Sequence, residues 1–373
     1  MHEYRFINKI LCWVIQMENV MILAINTGST STKIALFNGI SLEICETLRH
    51  PVGELRVFEN VIAQFQYREK AVMDFLIKNK IDLKAICAVV GRGGLLHPIE
   101  GGTYTINPLM LEHLRENLSH ASNLSCMIAK RIADKTGVPS YTVDPVVVDE
   151  LEDIARYTGC REIKRYPIWH ALNQKAVAKQ YANDKQIPYE NLNLIVAHIG
   201  GGCSVGAHYK GRVIEVTNAL NGEGPFTAER AGKLPVESVI DLCASKKYGG
   251  PEELKQVLIT KMGLLSHLGT NDGRIINERI KQGDGEAKKV YKAMAYQIAK
   301  EIGSAAVVLT GEVDGIILTG GFAYDEMLMG WITEYTSFLA PITVIPGEDE
   351  MYALSLGAYR VLCNKETAKE YRG

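Results

Sequence analysis

The 373-residue chain is too long for a single small module, and at ~150 residues per domain it points to two domains. Its 47% hydrophobic and 23% charged residues allow a sizeable core and exclude a disordered or fibrous protein. Forty-one basic residues against 43 acidic ones leave a net charge of −2, which argues against nucleic acid as a main partner because counterion release needs a basic surface.

Residues 1–20 precede a second methionine, Met21, where a strand pattern begins at once, and they read as an N-terminal extension. Their apolar stretch Ile10–Ile15 is too short for a signal peptide, and no apolar run nears the ~18 residues of a membrane helix. Eight scattered cysteines, with no CxxC pair and no zinc-like spacing, read as reduced core thiols, so a cytoplasmic protein without a membrane partner is expected.

In chain order, the first predicted strand is Met21–Ile25, followed by a turn rich in Gly, Ser and Thr and a second run closing on Asn38-Gly39. The run Ala85–Gly94 is β-like and ends in glycines, and a helical pattern covers 109–135. A domain boundary is placed near Arg161–Tyr166, giving domains 21–165 and 166–373, with the last helix a candidate to return to the first. The second domain holds a strand at Leu194–Ala197, a glycine turn, a helical pattern over 287–309 and the apolar run Gly315–Gly321.

One internal match organises these elements. Asn26–Gly39 (NTGSTSTKIALFNG) aligns with His198–Gly211 (HIGGGCSVGAHYKG) at a constant offset of 172, pairing Gly28 with Gly200, Ala35 with Ala207, Phe37 with Tyr209 and Gly39 with Gly211. Two copies so far apart imply a duplicated α/β domain whose halves face each other across a cleft, since solenoid repeats have far shorter periods. Each turn combines little side-chain bulk with many N–H and O–H donors, which suits an anion. Two such turns can grip a polyphosphate, with Gly28, Ser29, Thr30 and Ser31 as donors in the first copy, Lys33 as a nearby cation, and Gly200, Gly201 and Gly202 in the second. A single Gly-rich turn would read as an ordinary β-turn, and the duplication favours phosphate.

Competing motifs fail. No GxxxxGK[ST] and no complete GxGxxG occurs, which disfavours Walker-type and Rossmann-type binding. Gly202-Cys-Ser-Val-Gly206 fits the GxSxG of serine hydrolases, but the residues after Gly206 read as a hairpin where a nucleophile elbow needs a helix.

The segment AINTGSTSTKIALF resembles the first phosphate motif of the acetate and sugar kinase, Hsp70 and actin superfamily, and most closely that of the acyl kinases. Further matches succeed it in family order: Val90-Gly-Arg-Gly-Gly94, Val143-Asp-Pro145, Arg165–His170, His198–Gly202, Glu229-Arg-Ala-Gly232, Asn271-Asp-Gly-Arg274, Leu318–Gly321 and Pro346–Glu350. The resemblance spans everything from Met21 onward. It implies duplicated actin-like (ribonuclease H-like) ATPase domains and an ATP-dependent, Mg²⁺-assisted kinase of short-chain carboxylates, working as a homo-oligomer. Arg92 followed directly by Gly93-Gly94, without the bulkier residues of acetate kinases, resembles the butyrate kinase branch and predicts a widened acyl pocket. Acetate or propionate kinase is the alternative within enzymes, and a non-catalytic nucleotide-dependent module the alternative outside them.

The resemblance assigns roles. Arg92 would grip the substrate carboxylate with its guanidinium fork, and Arg230 would clamp the phosphoryl group. His198, at the position Asn26 holds in the first copy, could donate to a γ-phosphate oxygen, and His170 matches the family's second active-site histidine. Asn26 joins this catalytic set. Asp144 would hold Mg²⁺ through water, with Glu350 or Glu348 as a further carboxylate. The adenine end would lie at Asp272, Arg274, Gly320 and Gly321, although acetate kinases carry Ile-Gly-Glu-Asn where this chain has Phe322-Ala-Tyr-Asp325.

Overall fold

The computed structural model describes residues 20–116 and 120–373. Apart from Val20, the expected N-terminal extension lies outside them. The chain divides into two compact units, one running up to Val147 and resuming at Asp349–Gly373, the other comprising Val148–Glu348.

The first unit is built on a seven-stranded sheet. β1 (Met21–Thr27), β2 (Ser31–Asn38) and β3 (Ser41–Arg49) form an antiparallel meander, while β4 (Ile86–Gly91) lies parallel to β1 and β6 (Ser140–Val143) parallel to β4. The short strands β5 (Thr103–Thr105) and β12 (Lys369–Glu370) complete the other edge, giving the order β12-β5-β6-β4-β1-β2-β3. The Met21–Ile25 run of β1 and the strand β4 are continuously apolar because both faces are covered, and their side chains join a core with the helices Phe65–Lys78 and Asn123–Thr136. The helical pattern read over 109–135 is thus two helices, Pro108–Glu116 and Asn123–Thr136. The helix Glu350–Leu362 packs on β1, β4 and β6, which places the chain's last helix in the first unit.

The second unit has a five-stranded sheet. β7 (Asn193–Ile199), β8 (Cys203–Tyr209) and β9 (Arg212–Val216) repeat the antiparallel meander, and β10 (Gly315–Gly320) and β11 (Ile342–Pro346) extend it in parallel with β7, in the order β11-β10-β7-β8-β9. The helix Gly285–Val308, capped by Asp284 accepting from the Glu286 and Ala287 amides, packs on β7 and β8. Residues 148–165, assigned from sequence to the first domain, belong here. Val148 and Leu151 are buried with Trp169 and Val213, the Trp169 indole donates to the Val148 carbonyl at 2.7 Å, and Arg165 forms ion pairs with Glu215 and Glu223.

The register corrects the gap-free internal alignment. The first hairpin closes at Thr27 with Thr32, leaving four residues in the turn, and the second at Ile199 with Cys203, leaving three. The offset is 172 before the turn (27 to 199) and 171 after it (32 to 203). Lys33 therefore corresponds to Ser204 and Ala35 to Gly206, while Gly39 corresponds to Lys210 and not to Gly211. Both meanders carry a register shift at the same place on the 171 offset, between Leu36 and Phe37 and between Ala207 and His208. Gly39 and Lys210 share a left-handed backbone, with φ of 60° and 47°. Among the described residues no cysteine forms a disulfide, and only Cys126 and Cys203 are buried, so the remaining thiols are not core groups.

Candidate active site

In the first unit, β4 delivers Arg92 just beyond its last residue, and the Arg92 amide donates to the Ile25 carbonyl at 3.0 Å, tying it to the end of β1. Its guanidinium grips Glu350 in a fork, Nη2 to Oε1 at 2.8 Å and Nη1 to Oε2 at 3.2 Å. Asn26 Nδ2 donates to the same carboxylate at 2.5 Å. The three expected site residues Arg92, Asn26 and Glu350 are thus in direct contact, Glu350 standing at the first position of its helix. Asp144 is buried in a left-handed conformation (φ 38°), unusual for a side-chain-bearing residue, and its carboxylate accepts from the Gly102 amide at 2.6 Å. Glu348 lies in the second unit, 3.4 Å from His198 Nε2. Among the described residues no group of three or more His, Cys, Asp or Glu could hold a metal, so the expected carboxylates do not form an all-protein cage.

The glycines after Arg92 serve a different purpose from the one expected. A Cβ on Gly93 would lie 2.4 Å from Pro145, and one on Gly94 1.8 Å from the Asn123 amide oxygen. The space freed by missing side chains is filled by neighbouring protein, so these glycines permit close packing and do not widen a pocket. His120, which no sequence pattern marked, interacts electrostatically with Arg92. Although the residue is exposed overall, desolvation of its ring and then the Arg92 charge hold the imidazole below its ordinary pKa.

The first turn rests on Arg68, also unmarked by the sequence. This arginine is fully buried on the helix Phe65–Lys78, and its guanidinium donates to the carbonyls of Gly28 (2.8 Å), Ser31 (2.8 Å) and Ser29 (2.7 Å). Gln64 Oε1 accepts from its Nε and Nη2. The remaining turn carbonyl, that of Thr30, accepts from the His50 amide. With every carbonyl drawn inward, the exposed Ser29 and Thr30 amides have no protein acceptor among the described residues. Lys33 stands opposite Asn26 in the hairpin, and among the described residues nothing pairs with its ammonium. Carbonyls bonded inward, amides left without a protein acceptor and a buried cation beneath give the turn the electrostatic character that suits an anion.

In the second unit, His170 and His198 stack face to face, 3.7 Å between centroids and 12° between planes. His198, buried on β7, meets Asn173 Oδ1 at 2.8 Å through Nδ1. His170 Nδ1 meets Ser204 Oγ at 2.8 Å. The Gly200–Gly202 turn closes with the Gly200 amide donating to the Gly202 carbonyl at 2.9 Å, and Thr227 Oγ1 donates to the Gly201 carbonyl at 2.6 Å. Arg230 lies directly over this turn, where a Cβ on Gly202 would sit 2.2 Å from its Nη1, and that nitrogen donates to the Ala219 carbonyl. Burial pulls the Arg230 pKa down and Glu229 pulls it back up.

At the expected nucleotide end, Asp272 caps the helix Gly273–Lys281 and pairs with Arg274 at 2.6 Å. Arg274 holds the Asp272 carboxyl down to about 2, so its guanidinium is engaged by its own neighbour. Gly320 takes φ 93° and its amide and carbonyl exchange hydrogen bonds with Gly347, turning the chain into Gly321–Tyr324. Phe322 packs edge-on to Tyr291, and Asp325 accepts from Tyr291 OH (2.5 Å) and Asn277 (2.7 Å) while capping the next helix. The departure Phe322–Asp325 from the acetate kinase pattern is thus a built structural corner.

The model of the acetokinase family matches residues 154–328. Over 353 residues, covering 94% of this chain and 99% of the relative, the sequence is 51% identical to butyrate kinase 2 of Clostridium acetobutylicum. The chain belongs to the acetokinase family. Among solved structures it resembles the acetate kinase of Porphyromonas gingivalis, with a TM-score of 0.73 at 18% identity over 92% of this chain and all of that one. It also resembles a propionate kinase from Francisella tularensis, with a TM-score of 0.69 at 21% identity over 91% of this chain and 98% of that one. The acetokinase fold is the actin-like ATPase fold, and each of the two mixed sheets found here belongs to it.

Proposed function

We propose that this acetokinase is an ATP-dependent carboxylate kinase that transfers the γ-phosphoryl group of ATP to butyrate or a branched relative, giving an acyl phosphate, and runs in reverse to make ATP. The observation that carries this reading is the Arg92 fork, which already grips a carboxylate, that of Glu350, with two parallel contacts. Nucleotide binding alone has no use for such a clamp, and the 51% identity to a butyrate kinase favours a four-carbon acid.

A carboxylic acid with a pKa near ~4.3 is ionised at neutral pH and attacks phosphorus without a general base. The work left to the protein is electrostatic: orienting two anions and holding the charge that spreads over the transferring group. In the first unit an entering acid takes over the Arg92 fork from Glu350, while the Gly28–Ser31 turn and Lys33 offer donors to phosphate oxygens. In the second, Arg230, His198 and His170 supply donors and positive charge for the phosphoryl group, beside the Gly200–Gly202 turn. Mg²⁺ keeps most of its waters and needs only one or two carboxylates besides phosphate, which Asp144 and Glu350 of the first unit, or Glu348 of the second, would supply, and when bound it would neutralise phosphate charge. The nucleotide's base would lie toward Gly320, Gly321 and Phe322, with Asp272 and Arg274 at its rim. Among the described residues no helix is long and apolar enough to cross a membrane. A cytoplasmic homo-oligomer is the setting we assign, on the family resemblance and the scattered thiols.

The test is hydroxylamine trapping with ATP, Mg²⁺ and acetate, propionate, butyrate, isobutyrate and valerate. Acyl hydroxamate peaking at four or five carbons is expected. A peak at acetate would replace the substrate, and no product with any acid would overturn the kinase reading.

A further inference from the structure

The GxSxG serine, Ser204, has no nucleophilic context, yet it lies at the centre of a buried hydrogen-bond chain whose direction the geometry fixes. Ser204 is fully buried on β8, opposite His198 in the hairpin. Gln174 Nε2 lies 3.0 Å from the Ser204 carbonyl and 2.8 Å from its Oγ. A carbonyl only accepts, so this end of the Gln174 amide is the nitrogen and its oxygen faces the other way, 3.1 Å from His208 Nε2. His208 Nε2 therefore carries a proton. Burial and the Lys175 charge keep this ring neutral, which leaves Nδ1 bare to accept from Tyr189 OH at 2.7 Å.

The bonds thus run one way, from Tyr189 to His208 to Gln174 to Ser204. Ser204 Oγ accepts from Gln174 and, at 3.5 Å, from the His170 amide, so its own proton is the one directed at His170 Nδ1, 2.8 Å away. An imidazole that accepts at Nδ1 carries its proton on Nε2.

We propose that Tyr189, His208, Gln174 and Ser204 form a one-way relay that fixes His170 as the Nε2–H tautomer, presenting a hydrogen-bond donor to the transferring phosphoryl group. Ser204 is a positioning residue acting through His170, and no bond to it forms or breaks. The phosphoryl part rests on the kinase reading, while the tautomer does not. The relay occupies the place of a charge in the other copy of the hairpin, because Ser204 is the counterpart of Lys33.

The decisive perturbation is Gln174→Glu, which preserves shape but replaces the donor with an acceptor. At a pH high enough to ionise the buried carboxyl, which donates as long as it keeps its proton, Ser204 must donate to Glu and accept from His170 Nδ1–H, inverting the tautomer. ¹⁵N NMR of histidine-labelled protein, with His170 assigned by signal loss in His170→Gln, reads this directly. The wild-type ring is expected as Nε2–H and the Gln174→Glu ring as Nδ1–H. Kinetics should show kcat falling on the order of 10²-fold, the cost of one misdirected donor, with both KM values within ~3-fold. Ser204→Ala should lower kcat in the same way, and Ser204→Thr, which keeps the hydroxyl, should recover most of it. Nδ1–H in the wild type, or an unchanged kcat in folded Ser204→Ala and Gln174→Glu, would overturn the relay. A wild type that makes no acyl hydroxamate would overturn the kinase reading and leave the tautomer result standing.

Discussion

Replacing Arg68 with methionine keeps the volume of the buried side chain and removes every donor beneath the first turn. Three turn carbonyls, those of Gly28, Ser29 and Ser31, lose bonds of 2.7 to 2.8 Å to a guanidinium. Charge-assisted bonds contribute ~1.5–3 kcal/mol each, a gross loss of about 5–9 kcal/mol. Against this, the wild type bears the desolvation of a buried cation that has no carboxylate within ion-pair distance among the described residues, a cost of several kcal/mol that Arg68→Met removes. The net expectation is about 2–4 kcal/mol of destabilisation, or a Tm lower by roughly 5–15 °C. The freed carbonyls can also turn outward, so the KM for ATP should rise at least ~10-fold while the KM for the acid, which we propose is bound at Arg92, changes little. Differential scanning fluorimetry and initial rates over an ATP series read both effects. A Tm within ~2 °C of wild type together with an unchanged KM for ATP would refute the anion-receptor account of the turn.

Arg92→Ala should raise the KM for the carboxylate and lower turnover by ~10²-fold or more while leaving nucleotide affinity largely intact, as measured by calorimetry with ATP analogues. Gly202→Ala drives a methyl into the Arg230 guanidinium, 2.2 Å away, and should cost kcat more than stability, with Gly201→Ala as the near-neutral comparison because nothing lies within 4 Å of its Cβ position. His50 and His208 are both held below their ordinary pKa, first by burial. Their unfolded forms bind protons more readily, so stability is full above pH ~6.5 and falls as the pH drops below it, which urea titrations at pH 7.5, 6 and 5 would show.

The duplicated hairpin was legible because strand, glycine turn and strand leave a local pattern in each copy. The single-residue slip between the copies was not, because coincident glycines at 39 and 211 mask it, and only strand register reveals that Lys210 holds the left-handed position. Arg92, Asn26 and Glu350 could be named from motifs. Their mutual contact spans 258 and 324 residues of sequence, beyond the reach of any periodicity. Arg68 was hidden for a plainer reason: an arginine in an amphipathic helix looks solvated until the helix is seen to turn that face toward a loop 37 to 40 residues earlier. Ser204 stood out for a chemistry it does not perform, since GxSxG specifies small residues around a serine and is silent on the donors that converge upon it.

The helix Glu350–Leu362 is made only after the whole of Val148–Glu348, yet it covers β1, β4 and β6 of the first unit. On the ribosome the first sheet therefore emerges early and waits, one apolar face uncovered, while an entire second unit is synthesised and free to fold. Its completion also depends on the final residues, where Tyr371 is buried with its hydroxyl 2.7 Å from His113 Nδ1 and its carbonyl accepting from Asn107. The sheet begun before the second unit is thus closed only by residues made after it, and a ribosome stalled between the two would present it half-built.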